Sequence, residues 1–558
     1  METPSRRAGA GPGQASAFGQ DEFVQLPRRT VVLTMAGVML AMFLASLDQT
    51  VVSTATPRII ADLGGFDRFT WITTAYLVAS TTMVPIVGKL TDIYGRKRFF
   101  IGGIALFIVG SVLAGLSQTM DQLIAFRAIQ GAGGGVIMAN SFIAIADLFP
   151  PKERGKYQGM IAGVFGLSSV IGPTLGGFIT DNISWHWVFL VNVPVSVPVI
   201  ALFVRYFPET RRRTRGAGAR LDYPGMTVLI LAVVPLLIGL SVGGVQYEWV
   251  SPQVIGALAF GSAMSIVFVF IESRAVDPIM PLEIYRNRMV WVSLVAIFLT
   301  GFGMFGAIIF VPLFFQGVLG ASATSSGSFL TPMMLGIVFG AALSGQVLSR
   351  TGGRYRAQAL VGVSIMGVGL YLVSQMTEAT GFGRAVVNII ILGFGMGTTF
   401  PTYTLAVQNS VPFSVMGVAT SATQFFRSVG GLLGLAVMGA VMAARFSSRL
   451  SEAVPDSLAQ VIGAGQLQGL QSNPQSLVNP DALARLRTGI EEASPQGAAM
   501  VDQLLAIMKS SLSQAIGDVF LISVAVVALA FVATIFLRRS GVESHGEFRV
   551  APVTADDD

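Results

Sequence analysis

Between residues 30 and 538 the chain runs fourteen times for about 20 residues with almost no charge. At 1.5 Å per residue, a helix of that length crosses an apolar layer roughly 30 Å thick. The runs lie near 30–54, 71–90, 99–117, 121–147, 157–180, 186–207, 223–244, 250–271, 290–319, 325–348, 357–377, 384–410, 417–445 and 515–538. Their connections alternate in charge. Those after even-numbered runs hold Lys89, Arg96, Lys97, Arg98, Lys152, Arg154, Lys156, Arg211, Arg212, Arg213, Arg215, Arg220, Arg274, Arg286, Arg288, Arg350, Arg354 and Arg356, whereas the short connections of the other parity offer only Arg58, Arg68 and Arg384. Because Lys and Arg in short loops stay on the cytoplasmic side, this places both termini there. An error of one run would scatter the cations over both faces, so an even total of fourteen is favoured over thirteen. The expectation is an all-α membrane protein.

Composition agrees. With 53% apolar residues, 12% charged residues and a mean hydropathy of +0.68, the chain cannot cover a water-facing surface, and a soluble domain is excluded. The 64 glycines are spread through the apolar runs and suit closely packed helices. There is no cysteine, which excludes disulfides and thiolate chemistry. The only histidines are His186 and His545, too far apart in sequence to suggest a metal centre, so no metal is expected. The formal charge of +6 belongs to one-sided loops and calls for no nucleic-acid partner; the lipid bilayer is the partner it implies. No Gly-x-x-x-x-Gly-Lys-Ser/Thr loop is present, so no ATP-driven step is expected, and no catalytic constellation marks an enzyme or receptor.

The connection Gly88-Lys89-Leu90-Thr91-Asp92-Ile93-Tyr94-Gly95-Arg96-Lys97-Arg98 crowds four cations and two glycines into one turn. After the tenth run, Gly345–Arg356 echoes it, with Gly345 for Gly88, Ser349 for Asp92 and Gly352 for Gly95. The carboxylate is missing from the second copy. If the echo is a repeat rather than a chance match of glycines and arginines, runs seven and eight are an insertion between two six-helix bundles. The chain then divides into a disordered cytoplasmic tail (1–29), a first bundle (30–207), a basic loop with two inserted spans (208–271), a cytoplasmic linker (272–289), five spans of the second bundle (290–445), an outer segment (446–514), the last span (515–538) and a cytoplasmic tail (539–558). The basic run Arg211–Arg220 reads as an orientation signal touching lipid headgroups. In the outer segment, Leu458–Leu470 and Asp481–Ile490 have helical apolar spacing, and Met500–Met508 can continue into the last span. That segment is read as a cap over the outer mouth, with a docking site for a partner protein as the alternative.

Only three charges lie well inside a run: Asp48, Arg127 and Arg427. Such groups are costly in a bilayer and mark functional sites unless they form structural pairs. Asp48 and Arg127 each lie about six residues, or roughly 9 Å, from the outer end of their runs. At equal depth and of opposite sign, they relieve each other's desolvation as a pair, static or functional. Small-residue rows follow: Gly131 and Gly135 in run four, Gly159 with Gly163 and Gly172 with Gly176 in run five, where Pro173 removes one helical hydrogen bond.

At these residues the chain resembles the fourteen-span drug/proton antiporter branch of the major facilitator superfamily. Gly88–Arg98 is similar to the signature loop between spans two and three, Arg127 with Gln130-Gly131 to the fourth-span motif, Gly172-Pro173-Thr174-Leu175-Gly176-Gly177 to the fifth-span antiport motif, and Leu47-Asp48-Gln49-Thr50 to the first-span motif of that branch. The resemblance implies two six-helix bundles around a cavity that opens alternately to either side. It also implies a cytoplasmic latch made by Gly88, Asp92, Gly95, Arg96 and Arg98, with Asp92 meeting the positive N-terminal end of span thirteen near Gly417. Asp48 with Arg127 becomes the proton-coupling pair, and Gly172, Pro173, Gly176 and Gly177 the antiport helix motif. Trp185-His186-Trp187 departs from the pattern, since relatives more often carry Arg between the tryptophans.

Polar groups in spans avoid lipid, so Asn140, Gln316, Tyr403, Gln408, Asn409, Gln424 and Arg427 are the candidates to line a substrate cavity; helix-to-helix hydrogen bonding is the competing role for each. The expected function is proton-driven antiport of lipophilic or amphiphilic small molecules by a monomer in a bacterial inner membrane, with the proton gradient as energy source and no cofactor. The alternative is export of an endogenous lipid or metabolite with an outer partner at 446–514. One intramembrane acid against two arginines leaves neutral, amphiphilic and anionic substrates open.

Overall fold

The computed structural model describes residues 27–64, 68–208, 221–244, 246–320, 323–463, 469–470, 487–488, 490 and 497–538. The basic run 211–220, both tails and most of 464–496 lie outside the described residues. Fourteen helices among the described residues are long and apolar enough to cross a membrane. The expected count therefore stands.

The first bundle consists of α1 (Arg28–Leu63), α2 (Thr70–Tyr94), α3 (Arg96–Gly115), α4 (Met120–Leu148), α5 (Pro151–Asn182) and a sixth span built from two pieces, α6 (His186–Leu190) and α7 (Asn192–Tyr206). The sixth run is divided at Val191, which keeps right-handed helical backbone angles, and Pro194 has no N–H to give the Leu190 carbonyl there. Pro173, by contrast, is absorbed within a continuous α5. The inserted pair is α8 (Tyr223–Val242) and α9 (Pro252–Glu272). The second bundle holds α10 (Arg288–Gly317), α11 (Ala323–Thr351), α12 (Tyr355–Ser374), α13 (Phe382–Gln408) and α14 (Met416–Ala453), followed by the short α15 (Asp456–Ile462) and by α16 (Gly497–Ile535).

Several boundaries differ from the sequence expectation, α5 among them, which starts at Pro151 rather than near 157. Helix α1 continues to Leu63 rather than ending near 54, so Asp48 lies 63 − 48 = 15 residues, or about 22 Å, from the helix end. Helices α14 and α16 have 38 and 39 residues, about 57 Å each, nearly twice what a bilayer core needs. Met500–Met508 does run unbroken into the last span, within α16. Phe446, Leu450, Leu458, Leu504 and Met508 bury one another where the two long helices project, so the apolar core of the second bundle continues past the membrane. Arg449 adds an ion pair to Asp518 at 2.7 Å.

The two bundles meet along two helix pairs, α2 against α14 and α5 against α11. The echo between the loops has a structural counterpart there. A Cβ at Gly88 would collide with Ser421 and Gly417 of α14, and Gly345, its equivalent in the second copy, passes just as closely against Gly155 of α5. Gly159 lies against Ala342 and Gly163 opposite Val338 on the same α5–α11 seam. Of the inserted pair, α8 packs on α2 and α14, and α9 packs on α8.

Candidate functional site: a buried carboxylate and the closed basic face

The face carrying the Gly88–Arg98 turn is called the basic face below. Asp48 on α1 and Arg127 on α4 are each 1% exposed and pair at 2.6 Å through Oδ2. The other carboxylate oxygen accepts from Gln130 Nε2 at 2.7 Å and from Asn192 Nδ2 at 2.8 Å. Both amides also donate to Ser111 Oγ, which in turn donates to the Phe189 carbonyl. Arg127 has further partners: the Gln130 carbonyl oxygen at 2.7 Å, the Ile72 carbonyl at 3.2 Å and the Tyr76 ring at 4.4 Å. Gln130 and Arg127 are three residues apart and so share one face of α4. Asn192 is the first residue after the division in span six. Sequence reasoning did not list Asn192 or Ser111. The signal was an Asn two residues before a Pro inside an apolar run.

Asp48 is thus enclosed within the first bundle and has no open route to water in this conformation, contrary to the expectation of a carboxylate near the outer end of its span. Only its neighbours Gln49 and Thr50 are half-exposed. Thr50 donates to the Ser168 carbonyl of α5 at 3.2 Å, and a Cβ at Gly172 or Gly176 would strike Thr50 or Thr54. The antiport motif therefore packs on the helix that carries Asp48. Gly177 faces open space and takes no part in that approach.

At the basic face, Gly95 has φ +90°, a conformation that favours glycine and lets α2 end and α3 begin across one residue. This turn sets Asp92 beside Arg96 (2.6 Å), and Arg96 reaches on to Asp147 of α4 (2.7 Å) and to Thr91. Asp92 Oδ2 then accepts from the amide of Val418, the third residue of α14, at 3.2 Å. A carboxylate at a helix N-terminus satisfies an orphan N–H and meets the positive end of the helix dipole. Arg98 is exposed with no ion pair among the described residues, so of these two basic residues of the turn Arg96 makes the contacts with Asp92 and Asp147. Lys89 pairs with Asp277 of the connection after α9 at 2.8 Å, with side chains only 6% and 12% exposed.

The second copy is held differently. Ser349 is exposed. In its region Arg154 of α5 donates to Asn409 Oδ1 at 2.8 Å, and Asn409 donates to the Tyr355 hydroxyl. Arg154 also donates to the Ala146 and Phe149 carbonyls that end α4.

The candidate cavity residues separate. Gln408 donates to the Phe142 carbonyl of the first bundle and to Thr420, so Gln408 and Asn409 join the two bundles rather than line a cavity between them. Tyr403 turns its hydroxyl to Thr534 at 2.6 Å, while its ring borders a small cavity. Gln316 is half-exposed near the end of α10. Asn140 is fully buried with both amide atoms lacking a hydrogen-bond partner among the described residues. Gln424 accepts from Arg427. His186, in place of the expected arginine, stacks on Trp185 and hydrogen-bonds Ser184, while Trp185 donates to Asp62 at 2.8 Å.

Two helical bundles joined by paired helices, with a polar network sealed inside the first and a latch across one face, define a multi-pass membrane transporter. The profile of the Major Facilitator Superfamily matches residues 38–435, and the chain belongs to that superfamily. It is 40% identical over 522 residues to the multidrug transporter protein MdtP of Bacillus subtilis (strain 168), covering 92% of this chain and 93% of that protein. It is also 38% identical to multidrug resistance protein 3 of the same organism, over 92% of this chain and 96% of that protein. Among solved structures, a bacterial homolog of the human lysosomal transporter Spinster superposes with a TM-score of 0.54 at 16% identity, over 92% of this chain and 98% of that one, a likeness of fold.

Proposed function

We propose that the protein exports lipophilic or amphiphilic small molecules by exchange for protons, with the basic face and both termini in the cytoplasm of a bacterial cell and the inner membrane as its location. The observation that carries the reading is the Asp48 network. It is held by donors from α4 and α7, and Arg127 keeps the Gln130 oxygen, the Ile72 carbonyl and the Tyr76 ring if the carboxylate loses its charge. A small shift of α1 against α4 or α7 changes which of the three donors the Asp48 carboxylate keeps. The α1–α5 contact at Thr50 and Gly172 transmits such a shift when the bundles rock. The relatives named as multidrug transporters support export as the direction, and the one-sided cations support the orientation.

The test uses proteoliposomes holding a pH-sensitive dye, challenged with ethidium as a cationic probe, Nile red as a neutral one and 1-naphthaleneacetate as an anionic one. Wild-type protein should couple the movement of at least one probe to proton movement, and Asp48→Asn should abolish the coupling. Undiminished substrate-linked proton flux in Asp48→Asn would refute the assignment. The alternative, export of an endogenous lipid or metabolite with a partner on the outer face, draws on the paired extensions of α14 and α16; a changed lipid profile in a deletion strain with no change in dye efflux would favour it.

A further inference from the structure

Two arginines sit enclosed in the spans, and they are treated differently. Arg127 is matched by Asp48. Arg427, 7% exposed on α14, forms no ion pair among the described residues. Its guanidinium donates to Gln424 and, at 3.5 Å, to Thr404, and lies 3.7 Å over the Phe400 ring. Neutral acceptors and one aromatic face recover only part of what a cation loses on leaving water. Among the described residues Arg427 is therefore an enclosed positive charge with no carboxylate beside it.

Its surroundings have the form of a binding site. Arg427 borders a cavity with room for about one water molecule, walled by Met304, Met366, Met396, Phe400 and Tyr403. Phe400 lies 5.5 Å from the Phe142 ring of α4, so the arginine is one aromatic ring away from the seam between bundles. A planar guanidinium matches the oxygens of a carboxylate, sulfonate or phosphate ester, and three methionines adapt to apolar bodies of different shape.

We infer that Arg427 is the counter-ion for the acidic group of an amphiphilic anion, the apolar part of which lies on the methionine and Phe400 wall. This deepens the exporter reading and rests on it for the transport step, while the binding step stands alone. The anion enters when Phe400 and Phe142 separate and exchanges the neutral contacts of Arg427 for a charge-assisted pair.

Isothermal titration of the purified full-length protein with 1-naphthaleneacetate and its neutral isostere 1-naphthaleneacetamide tests the binding without any need for transport. The acid should bind at least about tenfold more tightly than the amide. Arg427→Gln should remove that preference while leaving amide affinity within about twofold, and Arg427→Lys should keep most of it. Equal affinity of the wild-type protein for acid and amide, an unchanged preference in Arg427→Gln, or equal loss of both ligands in Arg427→Gln and Arg427→Lys would each overturn the inference. Should Arg427→Gln fail to fold, the wild-type ratio and Arg427→Lys still decide it. Failure of the exporter reading shows separately, as absence of proton-linked movement of any probe in wild-type proteoliposomes with acid binding intact.

Discussion

The Oδ2 atom of Asp92, at the end of α2, accepts a hydrogen bond from the Val418 amide, at the start of α14, at 3.2 Å. This bond joins the two bundles across the basic face, and the rest of that carboxylate is committed to Arg96 within the first bundle.

Replacing Asp92 with Asn should therefore weaken the closed basic face without unfolding the first bundle, since Arg96 keeps Asp147. A hydrogen bond to a charged group is worth about 1.5 to 3 kcal/mol, so the closed state should lose roughly ten- to a hundredfold in population. The chain has no native cysteine, so spin labels at the exposed Tyr94 and Ser414 can report the separation directly. A longer distance in Asp92→Asn at unchanged expression is expected; an unchanged distance would assign the turn to orientation alone.

Lys89 and Asp277 form a nearly enclosed pair between the basic turn and the connection that leads from the inserted helices into α10. Breaking such a pair from one side leaves a buried charge and costs about 3 to 5 kcal/mol. Asp277→Ala should lower the melting temperature and transport together, and Lys89→Met with Asp277→Met should recover stability beyond the sum of the single changes. Additive losses in that cycle would show that the two side chains do not act as a pair.

Gly172 and Gly177 stand in one motif but in different surroundings. Gly172→Ala drives a methyl into Thr50, two residues from Asp48, and should reduce proton-linked transport at least severalfold. Gly177→Ala meets nothing within 4 Å and should leave transport intact while adding about 0.5 to 1 kcal/mol of helix stability. Parallel transport and thermal-unfolding measurements on the two variants distinguish close packing from a general need for flexible glycine.

The segment beyond α14 is expected to cap rather than to drive transport. Leu458, Ile462 and Ile490 belong to one packed core with Val501, Leu504 and Met508, so described residues on both sides of the segment share that core. A short Gly/Ser linker in place of 464–496 should leave dye export within a few-fold, with a partial loss from removing Ile490. Abolished export of an endogenous substrate with normal dye export would instead mark a partner site.

The span count, the clustering of cations on one face and the pairing of Asp48 with Arg127 were all determined by the sequence, because length, charge and depth along a helix are local properties. The break before Asn192 was not legible, since Pro194 removes a hydrogen bond just as Pro173 does inside an unbroken α5. What only the tertiary structure decided is which way each polar side chain turns. Successive residues of a helix point about 100° apart, and a membrane helix is apolar on its lipid face and on its packed face alike, so periodicity does not separate the two. That is why Gln408 and Asn409, expected in a cavity, instead fasten the bundles, why Arg96 holds the latch while Arg98 does not, and why Lys89 finds Asp277 across 188 residues of chain. The contrast between Arg127 and Arg427 has the same origin. Both were legible as buried charges, but a counter-charge is supplied by a neighbouring helix, and only the packing of helices places a carboxylate beside the one and leaves the other without.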